Sequence, residues 1–164
     1  VIIDEIWINA TAFNSFGALI EPVNRGRIDN ITIYNSIIHS LGDYGNGIAL
    51  WSTGDDIHDI LIERTAINTS GESDDDSFGN SVSISDYLEG TGQGSVSRIA
   101  IHNSSLLARN YGVYSLGAQD IEATDNWWGD ASGPDSPANP GGSGSKVSDG
   151  IEFIPWRMDT ITGF

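Results

Sequence analysis

The chain has 164 residues, 38% of them hydrophobic, with 23 acidic against 7 basic side chains and a formal charge of −16. That length fits one domain, the apolar share is too high for a disordered tail, and the charge opposes contact with a phosphate backbone or an anionic membrane surface. The absence of cysteine excludes disulfides and thiolate metal sites, and no apolar run approaches the roughly 18 residues of a membrane-spanning helix.

Twenty glycines in a background rich in Ser, Asn and Asp predict many turns and many short strands. The chain opens on Val1-Ile2-Ile3, in the middle of what reads as a strand, with no basic segment of a signal peptide before it. Five segments then align without gaps, beginning at Ile6, Ile31, Ile60, Ile99 and Ile121. Such irregular spacing suits one turn of a solenoid with loops of variable length. The third position holds Ile8, Ile33, Ile62, Ile101 and Ala123, so alternation puts both apolar columns on one face of a strand. The sixth holds Thr11, Ser36, Thr65, Ser104 and Asn126, small polar groups suited to hydrogen bonding along a stacked corner. The eighth is large and apolar again: Phe13, Ile38, Ile67, Leu106 and Trp128. Three residues before each start stand Ile3, Ile28, Ile57, Val96 and Ala118.

Between these segments lies a second element, in which Gly17-Ala18-Leu19-Ile20, Gly47-Ile48-Ala49-Leu50, Ser81-Val82-Ser83-Ile84 and Gly112-Val113-Tyr114-Ser115 superpose. Each turn therefore carries at least two strands around an apolar bore. No window shows the i, i+3, i+4, i+7 stripe of an amphipathic helix. An antiparallel sandwich would match the strand lengths but gives no reason for identical columns. The expectation is an all-β chain, a right-handed parallel β-helix of about five coils over residues 1–125.

This pattern resembles the right-handed β-helix of the pectin-lyase-like superfamily. The C-terminal stretch resembles the end of β-helix modules in secreted and surface proteins. It is carried by Asn126-Trp127-Trp128-Gly129, Ser132-Gly133-Pro134, Asn139-Pro140-Gly141-Gly142-Ser143-Gly144, Val147-Ser148, and Ile151 through Phe153 to Pro155-Trp156. The resemblance implies fold and an extracellular or cell-surface location more than chemistry. Residues 126–156 read as a cap of the same domain. In it Trp127, Trp128, Phe153 and Trp156 cover the apolar end of the solenoid, and the prolines and glycines between 134 and 144 hold the loop out of any ladder. Residues 157–164 read as a tail. The beginning has no comparable lid, which predicts contact with upstream coils of a longer chain or with another copy through an open N-terminal end.

With odd positions of the repeat facing in, position four (Asn9, Tyr34, Glu63, His102, Thr124) and position two (Trp7, Thr32, Leu61, Ala100, Glu122) face out. Such a grid suits an extended polymer, and in the family resembled here polysaccharide sites commonly lie on this kind of face. Trp7 and Tyr34 are candidates to stack on sugar rings, and Glu63 and His102 to bind hydroxyls or move protons. Glu63 and Glu122 fall in different columns two coils apart, short of the paired carboxylates of a glycosidase. A polygalacturonase-like chain would carry Gly-His-Gly and Arg-Ile-Lys motifs, neither of which is present; Arg27-Ile28-Asp29 is not the latter. The proton acceptor of a lyase would have to come from Lys146, Arg64 or Arg98, which read as cap-loop and corner residues. Asp74, Asp75 and Asp76 form the densest acidic run and are the candidate Ca²⁺ ligands, though without the spacing of an EF-hand. No other cofactor is indicated. The sequence thus predicts a rigid module with a structural, adhesive or fibre-forming role. The alternative is a polysaccharide-binding or polysaccharide-degrading (lyase- or hydrolase-like) module.

Overall fold

The computed structural model describes residues 1–22, 26–86 and 94–164. Every regular element among the described residues is a strand, and the strands form three sheets in which all pairings are parallel. Sheet A orders β1 (Ile2–Asp4), β4 (Ile28–Tyr34), β7 (Ile57–Glu63), β10 (Val96–His102), β13 (Gln119–Glu122) and β16 (Ile151–Glu152). Sheet B orders β2 (Trp7–Ala10), β5 (Ile37–Ser40), β8 (Ala66–Thr69) and β11 (Ser105–Ala108). Sheet C orders β3 (Ala18–Ile20), β6 (Ile48–Ser52), β9 (Val82–Asp86), β12 (Tyr111–Leu116), β15 (Gly144–Val147) and β14 (Pro134–Asp135). From β1 to β13 the chain visits A, B and C in strict rotation, an arrangement consistent with a parallel β-solenoid.

Like residues stack because the register is exact. Ile31, Ile60, Ile99 and Ile121 are successive partners in sheet A, as are Ile33, Ile62 and Ile101. Ile38, Ile67 and Leu106 do the same in sheet B, and Ile48, Val82 and Val113 in sheet C. All of these except Ile31 are buried, and together they are the spine of one apolar core shared by the three sheets.

Left-handed backbone at repeated places lets the three-residue step between Ile28 and Ile31 face inward twice. Asn30, Asp59, Arg98 and Asp120 all have φ between 53° and 58° and interrupt the alternation at the same point of each sheet A strand. Asn and Asp tolerate this conformation best; the arginines need compensation, which their side-chain partners supply below. A second set, Glu5, Asn35, Arg64, Asn103 and Asp125, turns the corner from sheet A into sheet B. The residue after each turn is Ile6, Ser36, Thr65, Ser104 or Asn126, and the last four are fully buried. Thr65 N–H donates to Ser104 Oγ (3.1 Å), Ser104 N–H to Asn126 Oδ1 (2.9 Å), and Asn126 Nδ2 to the Ile101 carbonyl (2.6 Å). This is the stacked polar corner that the sixth column predicted, and it satisfies backbone groups that burial would otherwise orphan.

The structure corrects the first row of the alignment. Ile3 pairs with Ile33 and Ile8 with Ile38, so Ile6 stands beside Ser36 and not beside Ile31. The αL turn at Glu5 places the first sheet-A-to-sheet-B corner five residues earlier than the Ile6-Trp7-Ile8 alternation implies. The same corners divide each aligned segment into two strands, so with the second element each round holds three, in keeping with the minimum of two that the sequence implied. A further correction concerns the C-terminal loop. Pro134 and Asp135 form β14 and pair with β15, which extends sheet C, so part of this loop belongs to the ladder. Pro137 and Pro140 stay outside it.

At the C-terminal end Trp128 is fully buried, Phe153 is buried and Trp156 packs against the core. Gly133, at φ +82°, leaves room for the Trp156 indole, whose Nε1 donates to the Ala131 carbonyl (3.2 Å). At the other end β1, β2 and β3 are the outermost strands of their sheets, and Ile3, Ile8 and Ala18 are only partly covered.

Candidate functional site

Register brings three of the four candidate carbohydrate contacts into one outward line. Tyr34 pairs with Glu63, and Glu63 with His102, at the C-terminal edge of sheet A. Neighbouring strands are roughly 4.8 Å apart, so these side chains form a continuous half-buried strip. Arg64, on the adjoining corner, lies with its guanidinium carbon 5.9 Å from the Tyr34 ring centroid and donates Nε–H to Asn35 Oδ1 (2.9 Å). At the far end of the strip His102 Nε2 is 3.9 Å from Glu122 Oε1. The Thr124 hydroxyl sits 3.1 Å from both His102 Nδ1 and Glu122 Oε1. The strip therefore offers an aromatic face, a carboxylate and an imidazole in sequence, with a guanidinium beside them.

Trp7 is not in that line. It lies on β2 in sheet B, paired with Ile37, and its side chain is exposed. The residue that continues the strip beyond Tyr34 is Asp4. Asp74, Asp75 and Asp76 stand exposed on a turn between β8 and β9. There Ser73 Oγ accepts from the Asp75 N–H (3.0 Å) and Asp75 Oδ1 accepts from the Ser77 N–H (2.9 Å). Among the described residues no three His, Asp or Glu side chains converge as a metal-holding group.

Three features escaped sequence reasoning. The first is an ionic network along the αL column of sheet A. Arg98 donates Nε–H and Nη2–H to the two carboxylate oxygens of Asp59 (2.7 and 2.9 Å), and His58 Nδ1 lies 2.7 Å from Asp59 Oδ2. The Arg98 guanidinium, and after it His58, hold the Asp59 carboxyl well below the ordinary carboxylate range. Arg27 pairs with Asp29 one strand away. The Arg98–Asp59 pair joins β10 to β7 across the bends that positive φ imposes, while the Arg27–Asp29 and His58–Asp59 contacts are local. A basic and an acidic residue at the same offset before aligned isoleucines, Asp59 before Ile60 and Arg98 before Ile99, is the signal that could have found them.

The second is an aromatic chain where sheet B turns toward sheet C. Phe13 meets Tyr44 (5.3 Å between centroids), Tyr44 meets Phe78 (5.8 Å), Phe78 meets Trp51 (5.9 Å) and Trp51 meets Phe16 (5.0 Å). The third is a cleft of about 560 Å³ on the outer side of sheet B, bordered by Asn68, Leu107, Arg109, Trp128 and Lys146. Arg109 is engaged by Glu72 (2.7 Å), and the Lys146 ammonium lies 5.6 Å from the Tyr111 ring centroid. The residues of both features come from successive rounds far apart in sequence, so no local motif marks them.

Compared with known proteins, the chain matches no family model, no curated sequence and no solved structure.

Proposed function

We propose that the chain is a right-handed parallel β-helix of about five coils, capped by residues 126–156, and that it serves as a rigid module of an extracellular or cell-surface protein in display, adhesion or fibre building. The likeness of its coil pattern and Asn126–Trp156 motif to the pectin-lyase-like superfamily supports the architecture. The observation that carries the role is the asymmetry of the two ends. Among the described residues, five of the nine exposed large apolar side chains fall within the first 19 positions: Val1, Ile2, Trp7, Phe13 and Leu19. Three unpaired strand edges accompany them, a template for further strands. The N-terminal end is thus the docking face for upstream coils or another copy.

Sedimentation velocity on the chain, from micromolar to millimolar concentration, tests this reading. Reversible association is expected, and Ile3→Lys, which puts a charge at the half-covered end, should weaken it with unchanged far-UV circular dichroism. A wild-type chain that keeps one mass throughout would remove a second copy as the partner of this end.

A second reading, a polysaccharide-binding or polysaccharide-degrading face, is supported by the common register of Tyr34, Glu63 and His102. Glycan arrays and reducing-sugar assays on acidic and neutral polymers address it directly. Binding that falls at least tenfold in Tyr34→Ala, or turnover abolished by Glu63→Gln, would favour this face. Silence in both assays would remove it.

A further inference from the structure

Residues 158–164 form no strand, yet they do not leave the protein. Arg157 starts the path at the last corner, where its N–H donates to the Asn126 carbonyl (2.9 Å) and its guanidinium reaches Asn103 Oδ1 (3.5 Å). Thr160, Ile161 and Thr162 then border, with Glu63, Arg64 and Asn103, a gap of about 390 Å³. Further on Arg64 Nη2 donates to the Gly163 carbonyl (3.3 Å), and Phe164 borders, with Trp7, Asn35 and Ile37, a second gap of about 490 Å³. The segment thus climbs the A-to-B corner from the row of Asn126 to that of Glu5 and Ile6. Four strand steps of roughly 4.8 Å make about 19 Å, which seven extended residues span at roughly 3.3 Å each.

The corner is built to receive such a chain. Its αL residues, Asn35, Arg64 and Asn103, present side-chain donors and acceptors at one-strand intervals, and two of them bond this path. Only Ile161 and Phe164 of the segment are half-buried, and the rest is exposed. A segment held by two apolar anchors and few hydrogen bonds, above unfilled space, belongs to the least stable part of a fold.

We propose that the A-to-B corner is a receptor groove for the extended segment Met158–Phe164, and that this strap is exchangeable: it can leave its own groove and lie in that of a second copy. Exchange of an identical element between copies links chains without any new surface. It would give the module a lateral connection separate from the open N-terminal end, and it requires neither that end nor carbohydrate binding. Beside Glu63, the strap also covers one flank of the Tyr34–Glu63–His102 strip.

The test uses the full chain and a fluorescent synthetic peptide with the sequence of residues 158–164. The tethered strap competes at an effective concentration near millimolar, so the peptide should bind wild type poorly. In a chain carrying Ile161→Asp and Phe164→Asp the groove is vacated, and fluorescence anisotropy should show peptide binding at least tenfold tighter than to wild type. Adding Arg64→Ala should remove most of that gain, and a peptide with both anchors changed to Asp should not bind. Amide exchange at residues 35, 64 and 103 should slow when the native peptide is added to the vacated chain. Equal binding to wild-type and vacated chains, binding that ignores Arg64 and the anchors, or no binding to a vacated chain that keeps its far-UV spectrum would each overturn the proposal.

Discussion

Gly47→Ala is expected to lower stability by about 2–3 kcal/mol despite adding a single methyl group to a chain of 164 residues. A Cβ at this position would lie 2.2 Å from Ile67 Cγ2 and 2.6 Å from the Ser81 carbonyl oxygen, inside any tolerable contact. Both neighbours are fixed, since Ile67 is in the buried column of sheet B and Ser81 leads into β9. Gly17 meets the same obstacle one round earlier, with Ile38 Cγ2 at 2.2 Å. The chain itself shows how the clash is relieved. In the next round Ser81 takes the glycine's place, and there the residue stacked on Ile38 and Ile67 is Leu106, which has no Cγ2 branch at Cβ. Gly47→Ala combined with Ile67→Leu should therefore recover part of the loss, where independent defects would add. The unfolded-state gain from replacing glycine, about 0.4–1 kcal/mol, works against the effect and does not cancel it. Urea unfolding of the two single variants and the double variant decides the matter. A Gly47→Ala chain within about 0.5 kcal/mol of wild type would mean that the strands move apart under slight pressure, contrary to the close packing expected of such cores.

That glycine was legible in the sequence as the start of a weak repeat, and its partner was not. Columns can be read because parallel stacking imposes one residue type per position, so Ile31, Ile60, Ile99 and Ile121 announce themselves. Corners cannot be read so directly. The turn at Arg64 and the bend at Arg98 use positive φ on residues with no intrinsic preference for it, and only their stacking with Asn35 and Asp59 makes the conformation tolerable. Missing the corner at Glu5 slid the first row by five residues. That slip put Asn9, which pairs with His39 in sheet B, into the column that Asp4, Tyr34, Glu63 and His102 share, and set Trp7 on the same outward grid. The strip itself was recovered wherever the corner had been counted in the right place. The strap and the aromatic chain were invisible for a different reason. Their contacts join residues such as Arg64 with Gly163, or Tyr44 with Phe78, whose proximity depends on the whole stack.

Trp128→Ala is expected to cost about 3–5 kcal/mol, the range for deleting a large buried aromatic side chain, and to do so at the end of the protein, where fraying would normally make substitutions cheap. Its indole is fully buried, and it lies so close to β12 that a Cβ on Gly112 would come within 2.8 Å of two ring carbons. On its other side the backbone at Gly144 approaches the Trp128 Cβ, and the Ser145 N–H donates to the Trp128 carbonyl (2.7 Å). The ring therefore fills the core beside β12 and β15. Its Nε1 has no hydrogen-bond partner, so removal sacrifices packing alone. Trp128→Phe should accordingly lose far less, because no polar contact disappears with the indole. Trp127 is the control. It is half-buried, and its contribution is made by the backbone, its N–H donating to the Ser104 carbonyl (2.9 Å) and its carbonyl accepting from Leu106 (2.8 Å). Trp127→Ala keeps both bonds and should stay within about 1 kcal/mol of wild type. Thermal and urea unfolding of the three variants, with hydrogen exchange at Leu106, Val113 and Val147, separates the outcomes. If Trp128→Ala and Trp127→Ala weaken the chain equally, the end is closed by the aromatic belt as a whole. If Trp128→Ala also leaves exchange at Val113 unchanged, the ring does not stabilise the strands beside it, and the chain holds its last strands by the parallel ladder and polar corner alone.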